Sequence, residues 1–311
     1  MGLRTAPLGR AEELAWLIEG QSGVVSRRQL YAIGFTRWEI SAQIRARRWQ
    51  VVTDQVLCTH TGPLCQEALH WAAVFHGGPR AHLDGGSALI ASGLKRFDAE
   101  RIRVSVPRGA RVRRTRLFDI RQTRRWSAGV VVSTGIPRTT PAVAAVRAAL
   151  WAKSDRQAAL VLSMVVQQGL ASAPGLALAA VLVKRDRRRK LVQAVVLDLL
   201  GGSRTLGEID VARECRRRGL PEPSRQVLRR DGARRYYLDV YWDEWGVVVE
   251  IDGIHHTWAE NVVADALRQN SVSMTRATVL RLPLLGLRTQ PEAFFGQIQD
   301  ALVAAGWRAV A

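Results

Sequence analysis

Residues 236–252 constrain this chain more tightly than any other stretch. The segments 236–242 and 247–252 are rich in β-branched, aromatic and aliphatic residues, and Asp243-Glu244-Trp245-Gly246 makes a turn between them. The pattern predicts an antiparallel hairpin. With the turn centred between Glu244 and Trp245, Asp239 falls opposite Glu250 and Val240 opposite Val249. One face then carries Leu238, Val240, Trp242, Val247, Val249 and Ile251, all apolar, and the other carries Asp239, Glu250 and Asp252. Opposed side chains on such a pair lie about 5 Å apart, where like charges repel. Three acids on one face call for a cation, and a hydrated divalent ion with oxygen ligands is the simplest one.

The flanking segments extend the pattern. Thr205-Leu-Gly-Glu208 opens an amphipathic helix upstream, and Asp265-Ala-Leu-Arg268-Gln-Asn270 lies on a helix downstream. Thr278-Val-Leu-Arg-Leu282 reads as a further strand and 291–305 as a closing helix. This order of elements resembles the PD-(D/E)XK nuclease-like domain related to the very-short-patch mismatch repair endonucleases. The resemblance covers residues 203–305, about the last third of the chain. It implies a restriction-endonuclease-like mixed sheet flanked by helices, with Mg²⁺ (or Mn²⁺) held by Asp239, Glu250 and Asp252, and Glu208 completing the metal shell or orienting a ligand. The usual Lys of that signature is absent, and Asp252 stands in its place. The resemblance therefore offers His255 or His256 as general base, a task suited to an imidazole that titrates near neutrality. Arg268, with Asp265 on the same helix face, is expected to contact phosphate. The zinc-binding cysteines of the mismatch enzymes have no counterpart, so mismatch recognition is not implied.

Plainer structural roles stand beside these. Glu208 follows Thr205 by three residues, the spacing of a capping box. Asp265 and Arg268 form a solvent-facing pair equally well. One of two adjacent histidines points away from any shared site, and the acidic face can be simply solvated. A nuclease fold that has lost catalysis also fits the missing Lys.

Charge points to the partner. Lys and Arg number 46 against 27 Asp and Glu, a formal net charge of +19 in 311 residues. Such an excess favours a polyanion and gives salt-dependent attraction to phosphate backbones. Cys58, Cys65 and Cys215 show no zinc spacing and suit a reducing cytoplasm. The N-terminus lacks the order of a signal peptide. The nearly uncharged run 158–183 is interrupted by Gln167, Gln168, Gly169 and Pro174, which predicts two buried helices and no membrane partner.

Residues 10–57 have the grammar of a winged helix-turn-helix. Helices are expected over 11–21, 27–33 (capped by Ser26) and 37–47 (capped by Thr36), with a turn at Gly34-Phe35 and a wing over 49–57. In this arrangement the third helix enters the major groove of double-stranded DNA. Its exposed candidates are Arg37, Trp38, Ser41 and Arg45, with Arg47 and Arg48 reaching phosphate. Gly23-Val-Val-Ser-Arg-Arg-Gln-Leu30, Gly34 and the basic helix running into Trp49 resemble the N-terminal domain of AbiEi-type antitoxins. That resemblance implies a transcriptional regulator and leaves open a toxin partner and a homodimer.

In the middle, helices are expected over 66–75 and 87–94, and strands over 102–106 and 130–133. The basic run 108–125 reads as a strand with one basic face along DNA, or as a solvated edge strand. Gly86-Ser87 followed by Asp98-Ala-Glu100 superficially matches a nucleotidyltransferase signature, but the acids precede the strand they should occupy. Gly85-Gly86 is expected to start a helix, and 141–200 to be helical. The chain is thus expected to be α/β (α+β) and multidomain: a winged helix-turn-helix over 1–62, a mixed middle domain over 63–200 and a nuclease-like domain over 201–311. The function expected is metal-dependent hydrolysis of phosphodiester bonds. The alternatives are a regulator that keeps the nuclease fold as a scaffold, and RNA as the substrate.

Overall fold

The computed structural model describes residues 9–112, 114–124, 126–201, 211–230, 236–252, 266–267, 270 and 279–308. The chain is a mixed α/β protein that divides into two compact units, Met1–Ala144 and Ala145–Ala311.

The first unit begins with α1 (Arg10–Gly20), β1 (Val24–Ser26), α2 (Arg27–Ala32), α3 (Arg37–Arg45), β2 (Gln50–Thr53) and β3 (Val56–Cys58). The strands pair in the order β1-β3-β2, completing a winged helix-turn-helix arrangement. Local chemistry sets the boundaries. Ser26 and Thr36 each accept a hydrogen bond at the helix start while Gln29 and Glu39 reach back, two reciprocal capping boxes. Gly34 takes φ 88° in the turn between α2 and α3, a conformation that a Cβ disfavours. Leu17, Val25, Leu30, Ile40, Trp49 and Leu57 close the core beneath them. The strand β1 is not anticipated above, because three residues show no readable alternation.

Next come α4 (Gln66–Gly77), β4 (His82–Leu83), α5 (Gly85–Ala91), β5 (Ile102–Pro107), β6 (Phe118–Thr123), β7 (Val131–Val132) and β8 (Arg138–Thr139). The helix α4 packs on β1, β2 and β3. The strands β4 to β8 form a five-stranded mixed sheet in the order β6-β5-β4-β8-β7. Gly85 does start a helix: buried Asp84 caps α5 and also accepts hydrogen bonds from Ser105 (2.6 Å) and Thr139 (3.0 Å), joining three strands. The basic run departs from expectation. Among the described residues of the run only 118–123 is strand. Residues 108–112 and 114–117 form no strand, because Pro107 ends β5 and Gly109 turns the chain at φ 83°.

The helix α6 (Pro141–Trp151) spans the division between the units. The second unit then continues with α7 (Asp155–Gln167), α8 (Ala173–Val181), α9 (Arg189–Gly201) and α10 (Val211–Arg217). The apolar run 158–183 is thus two helices, broken where Gly169 takes φ 69°. Among the described residues no helix is long and apolar enough to cross a membrane. A four-stranded sheet follows, β9 (Arg225–Arg230), β10 (Tyr236–Trp242), β11 (Val247–Asp252) and β12 (Val279–Pro283), with α11 (Leu284–Thr289) and α12 (Pro291–Ala304) closing the unit. Its order is β12-β11-β10-β9, antiparallel except for β12, which runs parallel to β11.

Candidate active site and nucleic-acid interface

The register of β10 and β11 is the expected one: Asp239 opposite Glu250 and Val240 opposite Val249. Magnitudes explain why two acids tolerate each other there. Leu238, Val240, Trp242, Val247, Val249 and Ile251 are all at most 3 % exposed. Each such burial contributes roughly 1.5–3 kcal/mol, whereas an opposed like-charge pair costs at most about 1 kcal/mol. A slip of one residue would turn the whole apolar set to solvent. The apolar face therefore dictates the position of the acids.

On the neighbouring strands the row continues without further acids. Across the sheet, Val227, Asp239, Glu250 and Arg281 lie side by side on β9, β10, β11 and β12. Asp239 is only 6 % exposed, and the Tyr241 hydroxyl donates to its carboxylate at 3.2 Å. The Arg225 guanidinium stacks 4.0 Å from the Tyr241 ring centre and reaches Asp243 at 3.3 Å. Glu250 is half-buried, and the Arg281 Nε donates to it at 3.2 Å. Asp252 stands two residues along β11, in register with Tyr237 and Pro283. The backbone of Arg281 is itself clamped: buried Asn270 accepts from its N–H at 2.8 Å and donates to its carbonyl at 3.0 Å.

Hard oxygen donors on adjacent strands suit a small divalent ion, and Mg²⁺ is commonly held by one or two carboxylates with water completing its shell. The Asp239 and Glu250 pair fits that requirement. Among the described residues no group of three or more His, Cys, Asp or Glu is close enough to hold an ion. Glu208, His255, His256, Asp265 and Arg268 lie outside the described residues. Arg281, Tyr241 and Asn270 were not expected at the site. An alternating strand signals that Arg281 shares a face with some neighbour, but the neighbour of a parallel strand is not readable from spacing.

The second candidate surface is α3. Arg37, Trp38 and Arg45 are exposed, Trp38 at 79 %, and Ser41 is half-buried, while Ile40 faces the core. Arg47 and Arg48 follow the helix end, also exposed, with Arg48 donating to Gln43 at 2.6 Å. Glu39 would set a negative charge in the first turn of this helix, but Arg10 pairs with it at 2.7 Å. The Thr36 backbone N–H and hydroxyl, then Arg10, hold the Glu39 carboxyl down to about 2.

No protein-family model matches the chain, and no curated protein matches it. Among solved structures it is similar to the RV2827C protein from Mycobacterium tuberculosis, at 17 % identity and a TM-score of 0.41, over 66 % of this chain and 81 % of that one.

Proposed function

We propose that the chain is a DNA-binding protein whose C-terminal sheet hydrolyses phosphodiester bonds with the help of a divalent metal ion. The observation that carries this reading is the placement of Asp239 directly opposite Glu250 on a mixed four-stranded sheet. Asp239 and Glu250 would hold Mg²⁺ or Mn²⁺; on the sequence resemblance alone, Asp252 or Glu208 would supplement them. Bound there, the ion supplies Lewis-acid polarisation of a phosphoryl oxygen and a water of lowered pKa. Tyr241 orients the Asp239 carboxylate. Arg281, beside Glu250, is placed to neutralise charge on a phosphate. On the sequence resemblance alone, His255 or His256 takes the proton from water and Arg268 steadies the scissile phosphate. Double-stranded DNA is the proposed substrate, bound through Arg37, Trp38, Ser41, Arg45, Arg47 and Arg48 and favoured by the net charge of +19. A reducing cytoplasm is the proposed compartment; Cys58, Cys65 and Cys215 are all free.

One observation favours a second reading. Arg281 already gives Glu250 a positive partner, as a sheet kept only for scaffolding would. The chain is then a transcriptional regulator of the antitoxin-like kind, with a toxin as its further partner. Plasmid cleavage with Mg²⁺ or Mn²⁺ decides between them. Metal-dependent cutting that disappears in both Asp239→Ala and Glu250→Ala supports the nuclease. A folded wild-type protein that binds DNA and never cuts it leaves the regulator.

A further inference from the structure

We propose that Arg108, Arg111 and Arg114, between β5 and β6, form a second phosphate-contacting surface of the DNA-binding unit and do the work that the β2–β3 hairpin cannot. The proposal rests on the DNA-binding half of the function proposed above and deepens it.

The hairpin is poorly equipped to meet a polyanion. From Gln50 to Cys58 it has no Lys or Arg, and its turn carries Asp54, whose side chain is 66 % exposed. An exposed carboxylate repels a phosphate backbone. The turn is also pinned. Arg27 Nε donates to the Asp54 carbonyl at 2.9 Å, and buried His76, on α4, meets Thr53 Oγ1 at 3.0 Å and the Asp54 carboxylate at 3.6 Å.

His76 leads from that turn to the arginines. Together with Arg80, Ala110 and Arg111 it lines a cavity of about 280 Å³, so the start of the connection from β5 to β6 sits beside the residue that holds the hairpin. The connection is anchored by its backbone. The Ala110 N–H donates to Pro107 O at 3.1 Å, Gln122 donates to Ala110 O at 2.8 Å, and Arg101 donates to Arg116 O at 2.9 Å. From this held backbone the side chains of Arg108, Arg111 and Arg114 are exposed, and none forms an ion pair with an acid among the described residues. Asp119, on β6, is taken up by Arg121 at 2.7 Å and Arg103 at 3.8 Å. Unpaired guanidinia repel one another, and the partner that best relieves three of them is a row of phosphates, one per about 1.7 Å of duplex axis. Arg suits this because its fork binds phosphate bidentately.

The test uses the full chain and a short fluorescent DNA duplex, with the dissociation constant followed by anisotropy across a series of KCl concentrations. Three proteins are compared: wild type, the triple variant Arg108→Gln/Arg111→Gln/Arg114→Gln, and the α3 variant Arg37→Gln/Arg45→Gln. Each phosphate contact contributes about 0.9 to the slope of log K against log salt, so the triple variant should lose about 2 to 3 units of slope. Its weakening should be equal on unrelated sequences, as contacts to phosphate require. A triple variant with wild-type slope and affinity, beside an α3 variant that binds more weakly, overturns this inference and leaves the DNA-binding reading intact. A wild-type protein that binds no duplex at low salt overturns the DNA-binding reading and this inference with it. The three arginines are surface residues, so circular dichroism should report an unchanged fold.

Discussion

Glu250 stands between a guanidinium on β12 and the carboxylate of Asp239 on β10, and the balance at that one side chain is measurable. The Arg281 side chain is 72 % exposed, and an exposed pair of this kind is worth at most about 1 kcal/mol. Arg281→Gln should therefore tighten Mn²⁺ binding, measured by calorimetry, by no more than about fivefold, while lowering any cleavage rate because a charge beside the phosphate is lost. Unchanged Mn²⁺ affinity would show that the two cations do not share Glu250. A second titratable group governs stability. His70, on α4, is buried, and burial pushes its imidazole down to about 4 from an ordinary 6.5. As pH falls, the unfolded chain takes up this proton near 6.5, and the folded chain resists until about 4. The contribution is therefore complete above pH 6.5 and is lost as pH drops towards 4, on the order of 3 kcal/mol in all. Denaturant midpoints measured between pH 7 and 4 should fall along this course, and His70→Leu should flatten it.

At the scale of elements, helix starts and close approaches decide which surfaces are presented. Thr36 begins α3 by accepting from the Glu39 N–H at 3.2 Å and donating to its carboxylate at 2.8 Å. Thr36→Ala should cost about 1 kcal/mol, read as a lower melting temperature, and should weaken duplex binding more than its distance from the bases suggests. Gly286, on α11, meets the Phe294 ring of α12 so closely that an added Cβ would overlap it. Gly286→Ala should destabilise by roughly 1–3 kcal/mol through overpacking, and a melting temperature unchanged by it would refute that packing. The strands show the same logic. The 236–252 hairpin was legible from sequence in its limits, register and faces because a period of two and a short turn determine all three. The strands β1 and β9 were not: the first is too short to alternate, and Arg225–Arg230 is mostly polar.

Over the whole molecule, the proposed function puts binding and chemistry at different ends of the chain. The first unit, residues 1–144, should therefore bind duplex DNA and cut nothing, whereas a folded first unit that binds no DNA would place the interface in the second. Much of this organisation follows from local chemistry: the basic excess, the capping boxes at Ser26 and Thr36, the break at Gly169 and the acidic face of β10 and β11. Each depends on neighbours in the chain or on a fixed period, so the amino-acid order suffices. Other features were settled only by contacts distant in sequence. Arg281 reached Glu250 because β12 runs parallel to β11 after an intervening segment, and no turn length encodes that pairing. Asn270 found the Arg281 backbone, Asp84 joined β4, β5 and β8, and His76 tied α4 to the β2–β3 turn, all through buried polar groups that must find partners somewhere. Burial creates that demand, and only the packed chain decides which groups meet it.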